Sequence, residues 1–276
     1  SMDNVTFSTI GALIGLALSI FLIIKNFHAT YALIIGALVG GLIGGGGLVG
    51  TVSAMVKGSE SMMSSVLRIM TSGILAGCLV KTGAAEKIAD TIIKKLGEQK
   101  ALIAIAISTM IICAVGVFID ISVITCAPIA LAVGKKSNLS KSSILLAMIG
   151  GGKAGNVISP NPNTIATAEG FKLNLTSLMY VNIIPAICAL IVTIIIAMAL
   201  AKKKTDVIDS TDLESSERTN LPSFFASIIG PVTVIVLLAL RPLAKITIDP
   251  LIALPLGGFV CLLACLLYTS PSPRDS

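Results

Sequence analysis

The run Gly150-Gly-Gly-Lys153-Ala-Gly155-Asn156-Val-Ile-Ser159-Pro160-Asn161-Pro162-Asn163-Thr164-Ile-Ala-Thr-Ala168 lies between the apolar stretch Ile144–Ile149 and the strongly apolar residues 178–201. No membrane helix stays regular through it. Pro160 and Pro162 each lack an amide donor, and each pushes its predecessor, Ser159 or Asn161, out of the α region. The helix must therefore open at about 158–162. Backbone broken in this way is tolerated at membrane depth only where it is packed in protein or lines a wet cavity. Short polar side chains then stand beside freed amides, which suit an anion, and freed carbonyls, which suit a cation. A surface turn would also carry Asn-Pro pairs. Against that reading, Thr164 to Glu169 is good helix sequence that Asn161 can cap.

Of the 276 residues 55% are hydrophobic and only 12% charged, and apolar segments of spanning length recur along the whole chain. The fold class is therefore an all-α, polytopic integral membrane protein rather than a β-barrel. A net charge of +6 invites a nucleic-acid reading, but only 4% of residues are aromatic and the lysines cluster in loops, so nucleic acid is excluded as a partner and membrane lipid expected. Six scattered cysteines and a single histidine form no metal-ligand set, so neither metal nor cofactor is expected. With no nucleophile–base pair visible, the chain does not read as an enzyme.

Taken in order, Ser8–Ile24 and Tyr31–Val52 read as spans, the second with Gly36, Gly40 and Gly44 on one face for close helix packing. Lys57–Ser65 reads as a polar loop and Val66–Val80 as a third span. Residues 84–100 form an amphipathic helix expected on the membrane surface, with a soluble connector as the alternative. Residues 101–133 contain no polar turn, and the second arm, Ser122–Val133, reaches about 18 Å of a roughly 30 Å core. A re-entrant hairpin with its tip near Asp120 follows, its returning arm strained by Pro128. The broken helix 142–169 and the span 178–201 complete residues 1–204. Residues 205–220 read as a cytoplasmic linker, and 221–266 begin a second set of spans. Residues 267–276 resemble a translated sequencing adapter and are expected to lie outside the fold.

With the N-terminus outside, twelve basic residues (Lys25, Lys87, Lys94, Lys95, Lys100, Lys135, Lys136, Lys141, Lys202, Lys203, Lys204 and Arg218) fall on the cytoplasmic side. Lys57, Lys172, Arg241 and Lys245 fall outside, an asymmetry that supports this orientation.

Gly150 to Asn156 and Ser159-Pro-Asn-Pro-Asn-Thr-Ile-Ala166 resemble the gluconate permease (GntP) family of the ion transporter superfamily. Further stretches similar to it are Gly83 to Asp90, Phe118-Ile-Asp120 and Asp249 to Pro255. The resemblance implies a multi-pass symporter of the bacterial cytoplasmic (inner) membrane, half of an inverted-repeat architecture, taking up gluconate or a related sugar acid with protons. It admits a homodimer, and it makes this chain the first repeat and the start of a second. A sodium-coupled dicarboxylate or citrate carrier is the neighbouring alternative; a channel or a membrane scaffold is the alternative of another class.

For such a small anionic substrate, Ser159, Asn161, Asn163 and Thr164 with the freed amides are the expected donors. Asn156 either lines the site or holds the opened backbone. Asp120, costly to keep charged within a membrane, is the expected proton-coupling group unless it caps a helix or pairs with Lys153. Lys153 either adds field for an anion or snorkels to the interface. Arg68 and Lys81 read as interfacial anchors and Glu169 as solvated.

Overall fold

The computed structural model describes residues 6–203, 206–209 and 220–269, and the regular structure in them is helical throughout. Two compact units, residues 1–64 and 65–276, divide the chain within one long helix.

In the first unit, Ser8 caps α1 (Thr9–Ile24), followed by α2 (Ala29–Ile43) and the start of α3 (Gly47–Lys81). Glycine faces join α1 to α2. A methyl group on Gly15 would sit 2.5 Å from the Gly36 carbonyl oxygen, and one on Gly11 2.4 Å from Gly44 Cα. Only a hydrogen fits at either place, so the two backbones touch directly. Ser19 Oγ reinforces the contact, directed at the carbonyls of Gly15 (3.0 Å) and Ala32 (3.1 Å). The expected polar loop at 57–65 is helical: α3 runs 35 residues without interruption. Serine, glutamate and methionine there all tolerate a helix, and no proline stops it.

The second unit begins at Ser65. The helix α4 (Ala84–Leu96) leads through a 106° bend into α5 (Ala101–Ala114). The apolar face of α4 (Ala84, Ala85, Ile88, Ala89 and Ile93) is buried, packed against α5, α6 (Ile119–Lys136) and α11 (Phe224–Ala244), while Lys94 and Lys95 stay exposed. Within the described residues, protein covers the apolar stripe of this helix. A four-residue turn, 115–118, joins α5 and α6 into a hairpin, and α6 continues through Pro128. Proline removes one helical hydrogen bond without breaking the arm.

Next come α7 (Lys141–Asn156), α8 (Pro162–Gly170), α9 (Leu175–Val181), α10 (Ile183–Ala201), α11 and α12 (Pro250–Thr269). By length and composition, α3, α10, α11 and α12 can each cross a membrane, and the bent α4–α5 pair supplies a fifth apolar element. The protein is an integral membrane protein, and Ile184 and Ile195, on the outward face of α10, are more than half exposed.

Little of the expected linker falls within the described residues. Its start is docked: Asp206 accepts from the Ser142 amide (3.0 Å) at the N-terminus of α7, and Ile208 is buried beside Ile144 and Gly134. A carboxylate there meets amides that a helix cannot satisfy itself. Residues 205 and 210–219 of the linker, and residues 270–276 of the expected tail, lie outside the described residues; α12 continues to Thr269.

Candidate functional site

Glycines set the position of the broken helix. A methyl group on Gly151 would fall 2.2 Å from the Ala106 carbonyl oxygen, and one on Gly155 2.1 Å from that of Met110. Gly151 and Gly155 therefore lay α7 directly on the backbone of α5. Gly116, at φ +114° in the hairpin turn, lies against Leu75 and near Pro160, whose Cγ would lie 4.0 Å from an added Cβ. A side chain at that φ would be strained. The hairpin turn and the break are thus brought together.

The break spans 157–161. Asn161, in extended conformation, caps α8, and Pro162 occupies its first turn, where the missing amide costs nothing. Asn161 Oδ1 accepts from the amides of Asn163 (2.8 Å) and Thr164 (3.3 Å), and the Ile165 amide donates to the Asn161 carbonyl (3.0 Å). On its other side Asn161 Nδ2 donates to the Asn156 carbonyl and to Ser159 Oγ. Thr164 Oγ1 donates to the Ser159 carbonyl (2.6 Å) and also lies within reach of that of Asn156. Ser159 Oγ donates to the Asn156 carbonyl (3.3 Å), and Asn182 Nδ2 to that of Val157 (3.0 Å).

Ser159, Asn161 and Thr164 are all buried and spent on the backbone they interrupt. The expectation of free amides at the start of α8 is corrected here, because Asn161 has taken them. Asn156 is the exception: buried, with its Oδ1 lacking a partner. Asn163 is exposed.

Asp120 lies in the first turn of α6 and Lys153 in the last turn of α7; both are exposed. Among the described residues no ion pair joins them, although Cys113 lies within electrostatic reach of each. The structure thus gathers the break, the hairpin turn, Asp120 and Lys153 on neighbouring elements.

Residues 7–255 match the family described as GntP family permease. The chain belongs to the GntP permease family. An uncharacterized transporter of Haemophilus influenzae is 54% identical over 255 residues, covering 92% of this chain and 61% of the relative. The Gnt-II system L-idonate transporter of Escherichia coli K12 is 26% identical, over 85% of this chain and 54% of the relative. The D-serine transporter DsdX of Escherichia coli K12 is 22% identical, again over 85% and 54%. The chain thus spans between about half and three-fifths of the length of these relatives. No solved structure matches it.

One cluster in this GntP-family chain escaped the sequence. Arg68, in the part of α3 belonging to the second unit, donates from Nε to Asp249 Oδ1 (3.2 Å) and from Nη2 to Asp249 Oδ2 (2.8 Å), while Nη1 pairs with Glu169. Arg68 is thus engaged in an ion-pair cluster, and Glu169 is not simply solvated. The guanidinium fork ties the end of α8 to the residue preceding α12. Charges of opposite sign in or beside apolar spans were the signal available, since each needs a partner.

Proposed function

We propose that the protein is a secondary transporter that moves gluconate or a related small hydroxy-carboxylate across the bacterial cytoplasmic membrane, inward with protons. The observation that carries this reading is the break at 157–161, where the end of α7 meets the start of α8 against a hairpin turn, in a chain of a permease family. Facing helix ends offer a negative and a positive pole within a few residues.

Asn156 Oδ1 is an acceptor awaiting a donor. A substrate hydroxyl supplies one, as does an ammonium group, so idonate and serine, named for two relatives, share the required chemistry with gluconate: a carboxylate beside a carbon bearing a hydroxyl or amino group. The carboxylate is drawn to the start of α8, with Asn163 and Lys153 as the remaining polar and charged contacts. Asp120, in the first turn of α6, is the group proposed to carry the proton.

The test is uptake of labelled gluconate into proteoliposomes carrying the product of the complete gene, under an imposed inward proton gradient with and without sodium, and with L-idonate, D-serine and citrate as competitors. Proton-driven uptake that Asp120→Asn abolishes and idonate inhibits is the expected result. A sodium requirement with citrate inhibition favours a dicarboxylate carrier instead, and no gluconate uptake under either gradient defeats the reading.

A further inference from the structure

A groove of about 460 Å³ opens where the bend before α5, the turn after α6 and the last turn of α10 meet. Leu102, Leu139 and Met198 give it apolar walls, and Lys100, Lys202 and Glu98, all exposed, complete the lining. Ser137 Oγ donates to the Glu98 carbonyl (3.0 Å), which ties the end of α6 to the bend.

The sequence of α10 sets the depth of this groove. The helix is apolar from Ile183 to Ala201 and then meets Lys202 and Lys203, so its end marks the boundary between hydrocarbon and headgroups. Ile191, Ile195, Met198 and Lys202 follow one another at steps of four, three and four residues and so form one stripe of the helix. The three apolar members are 52, 61 and 49% exposed. The stripe therefore runs along the lipid-facing surface into the groove and ends on an ammonium group. Two lysines face one carboxylate in the lining. Around them, among the described residues, Lys94, Lys95, Lys135, Lys136 and Lys203 stand exposed, with Asp90, Asp206 and Asp209 as the further carboxylates, so positive charge is in excess. An apolar track leading to such an excess complements a molecule with an acyl chain and an anionic head.

We infer that this groove binds an anionic phospholipid, its phosphate between Lys100 and Lys202 and the first part of one acyl chain along Met198, Ile195 and Ile191. At roughly 30 Å³ per water the space equals about fifteen waters, more than a phosphate fills, which leaves room for the glycerol and the start of the chain. The site shares no residue with the break and is tested without transport.

The chain has no tryptophan, so Met198→Trp gives a single reporter in the groove. The 276-residue chain is reconstituted in phosphatidylcholine bilayers, and quenching by phosphatidylglycerol brominated on its acyl chains is compared with quenching by equally brominated phosphatidylcholine. Phosphatidylglycerol should associate about fivefold more strongly at this position, as one lysine in excess at the membrane surface gives. At Ile184→Trp, exposed at the opposite end of α10, the ratio should be near one. Lys100→Gln combined with Lys202→Gln should bring the groove ratio to near one, and arginine at both positions should keep it. Matched thermal unfolding controls for folding, and Ile103→Trp, also in the lining, replaces the reporter if Met198→Trp is unstable.

A ratio near one at Met198→Trp overturns the inference, as does an equal preference at Ile184→Trp. If Lys135→Gln with Lys136→Gln removes the preference as fully as the groove pair does, the selectivity belongs to the whole basic end and the site falls. Quenching by neither lipid means that a protein segment covers the groove, which also defeats it.

Discussion

Asn161 is the residue on which the break depends, and replacing it separates its two jobs. In Asn161→Ala the cap is lost, at a cost of about 1 kcal/mol. The Asn156 carbonyl keeps Ser159 Oγ and Thr164 Oγ1 within reach, so losing the Nδ2 bonds costs a net term of about 0.5–1.5 kcal/mol rather than the full penalty of an orphaned group. A total near 2 kcal/mol is expected. Asn161→Asp retains the acceptor for the Asn163 and Thr164 amides but places a carboxylate, at a wholly buried position, against the Asn156 carbonyl. Both variants should lower the unfolding midpoint in detergent. Hydrogen exchange distinguishes them: the Asn163 and Thr164 amides should exchange about 5–30 times faster in the alanine variant, as 1–2 kcal/mol requires, and near the wild-type rate in the aspartate variant. If the two amides exchange equally fast in both variants, or if alanine changes nothing, Asn161 does not hold the start of α8 and the account of the break is wrong.

Three further outcomes follow from the packing and the charges. Gly151→Ala puts a methyl 2.2 Å from the Ala106 carbonyl, so α7 must move off α5 and stability should fall by about 1–3 kcal/mol in a detergent unfolding assay; Gly170→Ala, where nothing lies within 4 Å, should be nearly silent. Arg68→Gln should cost about 1 kcal/mol after solvent screening of its partly exposed partners and should speed exchange at the start of α12. The Asp249 carboxyl is held below the ordinary carboxylate range chiefly by the Arg68 hydrogen bonds, against burial and with help from the Leu251 amide. Its stabilising contribution is therefore fully present above the unfolded value of about 4 and is lost as pH falls through the lower folded value; the acid-induced loss should be smaller in Arg68→Gln.

The break was legible because its cause is covalent: two prolines two residues apart stop any helix, and an asparagine before the second is a ready cap. The glycine face of α2 was legible for a similar reason, although its partners Gly11 and Gly15 became identifiable only when α1 lay against it. Other features depend on what covers a surface. The spacing in α4 gives an apolar stripe but does not say whether lipid or α5, α6 and α11 will bury it. Residues 57–65 are polar, yet polarity does not end a helix. The Arg68 cluster joins residues 101 and 181 positions apart, beyond any local pattern. Asn161's use of the amides meant for a ligand rests on one side-chain orientation, which spacing cannot express.

That orientation has a mechanistic consequence for the proposed carrier. Because Ser159, Asn161 and Thr164 already satisfy the interrupted backbone, a carboxylate arriving at the start of α8 exchanges hydrogen bonds with Asn161 rather than adding to them. An exchange yields little net binding energy per contact, which suits a cycle that must release its cargo as readily as it takes it. Asn156 Oδ1 differs, since bonding it creates a contact that no protein group at the break supplies. Selectivity should then reside in Asn156 more than in the cap. Asn156→Leu removes that acceptor while leaving the backbone carbonyl that the break uses. It should weaken a hydroxyl-bearing acid relative to its deoxy analogue by about 1–3 kcal/mol of discrimination, read as the ratio of the two uptake rates. A ratio unchanged from wild type would place the hydroxyl contact elsewhere.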